Sequence, residues 1–216
     1  MSDRPAVDLF FKSNMPTPPV NLAIETSSRR GFVALGRGPE VLDTAELPAK
    51  RRHNLDLIPT VDGLLGRHGL GAGDLAELYV SLGPGSFTGL RIAVATAKML
   101  SLTRGVKLVG VPTLDVLRRQ HPDAVVCLNV KRGTAWSAGP DLEPAFRELA
   151  ELRRPGRPLV ADTLDDALPA EPDVAVLHHL GHAAAQANRY DDPLTLAPLY
   201  LREPEAVTLW NQRHPE

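Results

Sequence analysis

Only one cysteine, Cys127, occurs in the 216 residues. No internal disulfide can form, and such usage fits a reducing compartment. There is no positive excess either. With 24 Lys+Arg against 26 Asp+Glu the formal net charge is -2, so no overall field draws the chain to nucleic acid or membrane. The arginine pairs Arg29–Arg30, Arg51–Arg52, Arg118–Arg119 and Arg153–Arg154 are scattered and read as solvated surface. No apolar run approaches the roughly 18 residues that a membrane helix needs. Asp3, Arg4, Asp8 and Lys12 surround the short "LFF", which is not how a secretory signal is written. A cytoplasmic location is expected. The 43% hydrophobic content is ordinary for a globular protein, and the length allows one large domain or two small lobes.

What is there falls into alternating elements. Residues 1–19, ending in "MPTPP", read as a flexible tail. "VNLAIETS" (20–27) and "GFVALGRG" (31–38) read as a hairpin, which "EVLDTAEL" would extend to a meander. In "HNLDLIPTVDGLLGRHG" (53–69), Leu57, Ile58, Val61, Leu64 and Leu65 make one apolar helix face, with a mild kink expected at Pro59. "LAELYVSLG" (75–83) and "VKLVGV" (106–111) are strand-like, and a short helix is expected after Pro112. "DAVVCLNV" (123–130) and "GTAWSAG" (133–139) suggest a second hairpin. A helix over 144–153, strands near 157–162 and 173–177, a helix over 178–189 and an extended 196–207 complete the expectation. Hairpin first, then alternating helix and strand, twice over, predicts two similar α/β lobes. They divide near 112–123, giving a first lobe of 20–115 and a shorter second lobe of 116–216.

The helix expected over 88–103 has two apolar stripes. Leu90, Ala93, Val94, Ala97 and Leu100 form one, and Ile92, Ala95, Met99 and Leu102 the other; Arg91 and Lys98 keep a narrow charged seam. A surface helix needs only one stripe. Either the helix is interior, or its second stripe meets another subunit, with the helix of 53–66 as its neighbour.

The stretch "GPGSFTG" stands between strand and helix, where backbone N–H groups of Gly83, Gly85, Ser86, Thr88 and Gly89 could hold an anion. The P-loop lysine is missing, and Thr88 stands where a dinucleotide fingerprint needs its third glycine. The plainer reading is a tight turn with Ser86 or Thr88 as N-cap. Phe87 and Thr88 also break the nucleophile-elbow pattern around Ser86. His178 and His182 are one helical turn apart, but His179 stands where a zincin needs glutamate, so surface histidines are expected there. Glu25, with Thr26 and Ser27 at the end of the first strand, is the acid best placed to face a cleft between the lobes.

"NLAIETS", "RRHNLDLIPTVDGLL", "GPGSFTGLRIAVATAKML" and "PLYLR", in this order and spacing, closely resemble the bacterial TsaB family over most of 20–207. The resemblance implies two ribonuclease-H-like lobes of the actin/Hsp70/sugar-kinase superfamily. It further implies a non-catalytic relative of TsaD, required for making threonylcarbamoyladenosine beside the tRNA anticodon. The implied partners are a TsaD-like transferase, a TsaE-like ATPase and, through them, tRNA; a homodimer through the same helices is a separate reading, compatible with this one as a resting form. No cofactor of its own is implied, although ATP could sit at the interface of the complex. The implied pairing helices match 53–66 and 88–103, with Leu57, Val61, Leu64, Ile92, Ala95, Met99 and Leu102 at the interface. Two departures stand out: Glu25 replaces the usual aspartate of the first strand, and the family's "DAR-G-EVY" reads "NVKRGTAW" here.

Overall fold

The computed structural model describes residues 17–48, 53–153, 156–201 and 210. Most of the expected tail, and residues 202–207 of the expected extended segment, lie outside them.

The strands are β1 (Val20–Glu25), β2 (Phe32–Arg37), β3 (Glu40–Glu46), β4 (Leu75–Gly83) and β5 (Lys107–Pro112), then β6 (Val125–Lys131), β7 (Thr134–Gly139), β8 (Leu142–Glu148), β9 (Leu159–Ala161) and β10 (Leu168–Pro169). The helices are α1 (His53–Arg67), α2 (Phe87–Arg104), α3 (Thr113–Gln120), the single turn α4 (Leu149–Leu152) and α5 (Val174–Gln186). They build two five-stranded sheets, ordered β3-β2-β1-β4-β5 and β10-β9-β6-β7-β8. In each, an antiparallel meander of three strands is extended by two parallel strands on the far side of its first strand. The two lobes therefore share one topology, as the repeated pattern predicts. The second lobe is reduced, since β9 and β10 are joined without a helix.

β1 is buried along its whole length because the first sheet is covered on both faces, which is why apolar residues stand on both of its faces, at Leu22 and Ile24 and at Ala23. Leu22 and Ile24 point into a core with Leu64, Leu65, Ala93 and Leu100 from α1 and α2. Ala23, one residue out of phase, joins Ala34, Tyr79, Leu177 and Ala185 under α5. Small residues on that side let α5 lie close; a Cβ on its Gly181 would fall 2.3 Å from the Tyr79 ring. α2 starts at Ser86, whose side chain accepts from the Gly89 N–H, and ends at Gly105 in the left-handed conformation. α1 continues through Pro59.

Three expectations are corrected. The segment expected as a helix over 144–153 is strand β8 followed by one helical turn. There it occupies the open edge of β7, its Phe146 meeting Trp136 edge to face; Pro144, without an N–H, is tolerated on an edge strand. The strand expected near 173–177 is instead the start of α5. The Asp173 carboxylate accepts from the Ala175 N–H at 2.7 Å, and Val174, Leu177, His178, Gly181 and Ala185 then share the buried face. Third, α5 and the chain after it return to the first lobe. Asp191 bonds β5, Leu196 enters the first-lobe core and the Leu199 N–H donates to Leu82 at 2.7 Å. The described residues after 116 therefore do not form one lobe; α3 links the two sheets.

His178 is not a surface histidine. It is fully buried, and its Nε2 meets Asn21 Oδ1 at 2.7 Å. The Asn21 amide donates to the Gly38 carbonyl and to the Tyr79 hydroxyl, so Oδ1 is its accepting end and His178 Nε2 carries the proton. Tyr79 and Tyr190 in turn both donate to Glu77. Burial, reinforced by His179 and His182, holds the His178 pKa down to about 4.

Candidate functional site

The glycine loop is packed against the end of β1. The Ser86 N–H donates to the Ser27 carbonyl at 2.7 Å, and the Thr26 hydroxyl donates to the Gly89 carbonyl at 2.9 Å. A Cβ at Gly85 would fall 2.2 Å from the Ser27 carbonyl oxygen, and one at Gly89 would fall 2.1 Å from that of Thr26. These glycines are thus required where one backbone lies on another. Of the residues considered for an anion, Gly83 and Gly89 are buried, Ser86 is engaged as the helix cap, and Gly85 and Thr88 remain exposed.

Between the lobes lies a cleft of about 750 Å³, walled by Ser27, Arg29, Arg30 and Ser86 on one side and by Asp162 and Asp165 on the other. Only Ser27 of the three expected cleft residues lines it. Glu25 and Thr26 are fully buried behind it. One Glu25 oxygen accepts from the Ser27 N–H at 2.6 Å. Burial pushes its pKa up to about 7, against the lowering effect of the Ser27 N–H. The second Glu25 oxygen, the Ser27 hydroxyl and the Thr113 hydroxyl are buried without a partner among the described residues. The cleft thus offers hydroxyls, two arginines and a helix N-terminus. Among the described residues no group of three His, Cys, Asp or Glu is placed to hold a metal ion.

The two stripes of α2 have different fates. Leu90, Ala93, Val94, Ala97 and Leu100 are buried in the first lobe. On the other stripe Ala95 is exposed, Met99 is 49% and Leu102 58% exposed, and Ile92 is half-buried. The helix is not interior. On α1 the expected interface set needs correction. Leu57, Val61 and Leu64 are at most 6% exposed and belong to the subunit's own core. The outward side of α1 carries Ile58, Pro59, Asp62 and Gly63 instead.

Sequence reasoning missed what fills the charged seam. Lys98 Nζ donates to the carbonyls of Leu194 and Leu196 at 3.3 and 3.1 Å. The Arg91 guanidinium lies 3.8 Å over the Phe87 ring and donates to the Tyr200 hydroxyl at 2.9 Å. The chain after α5 is thereby strapped along α2. The signal was present in Arg91 and Lys98, seven residues apart on one side of an otherwise apolar helix.

Two like lobes, each a meander extended by parallel strands, with a glycine loop leading into a long helix, make this a two-lobed α/β protein of the actin/Hsp70/sugar-kinase class. Residues 47–129 match the sequence model of the TsaD family, described as tRNA N6-adenosine threonylcarbamoyltransferase. A Bacillus subtilis protein named tRNA threonylcarbamoyladenosine biosynthesis protein TsaB is 31% identical over 120 residues, covering 54% of this chain and 52% of that protein. An uncharacterized Mycobacterium tuberculosis protein is 31% identical over 206 residues, 87% of this chain and 94% of that one. The solved structure of YeaZ from Pseudomonas aeruginosa superposes with a TM-score of 0.68 at 20% identity, over 85% of this chain and all of that one, and shares the fold. The chain belongs to the TsaB family. It spans about half the length of the Bacillus TsaB in that match.

Proposed function

We propose that this chain is a non-catalytic subunit in the threonylcarbamoylation of the tRNA adenosine next to the anticodon, acting by pairing with a TsaD-like transferase. The observation that carries the reading is the uncovered stripe of α2. Met99 and Leu102 stand half-exposed on a helix whose opposite side is fully packed, and apolar surface so placed marks an interaction site. The stretch that matches the TsaD model contains both α1 and α2, so subunit and partner would present like helices to one another across a pseudo-two-fold axis. The same face accounts for a homodimer in isolation. In this reading a TsaE-like ATPase joins the complex, tRNA is held mainly through the partner, any ATP lies at the subunit interface, and the complex works in the cytoplasm.

The test is co-purification with the TsaD-like protein of the same cell, together with mass spectrometry of tRNA nucleosides. Ala95→Glu places a charge in the middle of the exposed stripe. It is expected to abolish pairing and to fail to restore threonylcarbamoyladenosine in depleted cells. Normal pairing and modification by this variant would refute the reading.

One observation favours an enzyme instead: the roomy cleft, with the Glu25 carboxyl behind it at a pKa of about 7. Under that reading the purified chain turns over ATP, and Glu25→Gln abolishes turnover while sparing the pairing.

A further inference from the structure

Beside the glycine loop lies a second groove, of about 280 Å³, between the first lobe, the C-terminal segment and the second lobe. One wall is aromatic. Phe87 at the start of α2 and Tyr200 of the C-terminal segment stand with ring centroids 5.0 Å apart, and each is 43% exposed. Arg91 holds both, its guanidinium stacked on Phe87 and bonded to the Tyr200 hydroxyl. The opposite wall is polar and comes from the second lobe: Asn129, Lys131 and Asp162. Asp162 is oriented by the Asn129 N–H at 2.7 Å and by the Thr163 hydroxyl at 3.1 Å. Each carboxylate oxygen has a further lone pair.

We infer that this groove binds a nucleobase, stacked on the Phe87–Tyr200 wall with its polar edge toward Asn129 and Asp162. The chemistry is specific to such a ligand. A base needs one flat apolar surface and, at its edge, both a donor and an acceptor; the rings are tilted by 39°, so one of them supplies the first with the other as its flank, and the carboxamide and carboxylate supply the second. Lys131 adds a cation for a phosphate. An apolar side chain from a protein partner would leave this polar wall unpaired, which is unfavourable. The groove is small enough for a single base and open enough for a base that belongs to a longer strand. Arg91, being stacked and bonded, holds the rings in place before any ligand arrives, so little ordering is required on binding. The sheets would be bridged by the ligand, since its two walls belong to different lobes.

This inference does not depend on the pairing proposed above, and it is tested on the chain alone. A fluorescently labelled, unpaired oligoribonucleotide of mixed sequence, the same sequence as a duplex, and the four free ribonucleoside monophosphates are titrated against the full chain. Anisotropy follows the labelled RNAs, and calorimetry follows the mononucleotides. The unpaired RNA is expected to bind at least about tenfold more tightly than the duplex, whose bases are already stacked. Phe87→Ala and Tyr200→Ala are each expected to weaken binding by about fivefold to a hundredfold, the range one aromatic–base stack spans. Leu168→Ala, which removes an exposed apolar residue elsewhere, serves as the control and leaves binding unchanged. Both aromatic side chains are surface-exposed, so the variants should melt within a few degrees of the parent, and the melting temperature is recorded with each.

Binding of mononucleotides as well as RNA supports a base site that accepts free nucleotides. Binding of unpaired RNA alone, with the same loss in both variants, supports a site for a base within a strand. Binding of neither RNA nor mononucleotides overturns the inference. So does RNA binding that is indifferent to Phe87→Ala and Tyr200→Ala. If those two changes instead abolish co-purification with the TsaD-like protein and leave RNA binding untouched, the groove is a protein seat and the inference is wrong.

Discussion

Leu64 and Met99 were both expected at one interface, and the structure sends them in opposite directions. Leu64 is wholly buried between α1 and the first sheet, while Met99 is 49% exposed on α2. Replacing Leu64 by alanine removes a buried isopropyl group in the middle of the core, a change worth about 2–5 kcal/mol. For a chain of this size that lowers the melting temperature by roughly 4–20 °C. Below that temperature the variant retains its α2 face, so its affinity for a TsaD-like partner should stay within about threefold of the parent. Met99→Glu has the reverse signature. At a half-exposed helical position the substitution shifts stability by about 0.5 kcal/mol or less. In an apolar contact the same carboxylate is desolvated without a partner, and a penalty of about 2 kcal/mol already corresponds to roughly thirtyfold weaker pairing. Thermal unfolding by circular dichroism and surface plasmon resonance against the immobilised partner read the two effects separately. If Leu64→Ala weakened pairing without lowering the melting temperature, or Met99→Glu paired as tightly as the parent, the assignment of faces would be refuted.

Two further predictions follow from buried groups. His178, held neutral at a pKa of about 4 against an ordinary 6.5, binds a proton more readily when unfolded. Stability therefore rises with pH between about 4 and 6.5. Glu25, raised from 4.5 to about 7, binds its proton more tightly when folded, so its contribution falls with pH between about 4.5 and 7. The two slopes oppose each other across most of that window. Urea unfolding of His178→Gln should show stability falling from pH 4.5 to 7, and that of Glu25→Gln should show it rising from pH 4 to 6.5; equal slopes in both variants would refute the linkage. Gly89→Ala drives a methyl group into the Thr26 carbonyl, which is backbone and cannot swing away. It should lower stability by about 1–3 kcal/mol and weaken pairing through a displaced α2; a melting curve unchanged from the parent would show that the loop is not a structural contact.

The elements that could be read from sequence are those whose signals are local. The β1–β2 hairpin, the capping serine at 86 and the two stripes of α2 all depend on residues within one or two turns of one another. What could not be read depends on distant pairing. The period of α1 marks Leu57, Val61 and Leu64 as one face, but nothing local says whether that face meets the chain's own sheet or another subunit. The histidine at 178 looks like a surface residue until Asn21, 157 positions earlier, is brought to it. "DVAVL" has the apolar density of a buried strand, and only the cap made by Asp173 and the continuation of the pattern to Ala185 select a helix. β8 was misread because its pairing with the edge of β7 outweighs its own local preference. For the candidate site, the exposed stripe of α2 was legible. The partner of its charged seam was not, since it lies about a hundred residues further on.

The return of α5 to the first sheet has a consequence for how the molecule is made. Strands β1, β2 and β4 leave the ribosome early, but the side bearing Ala23, Ala34 and Tyr79 has only α3 beside it until residues 174–186 have been synthesised. The whole second sheet is translated in between. Until that late helix docks, the half of the protein that displays the α2 stripe lacks one of its two cores. A polypeptide released after residue 173 would keep every strand of both sheets and still expose the apolar underside of the first.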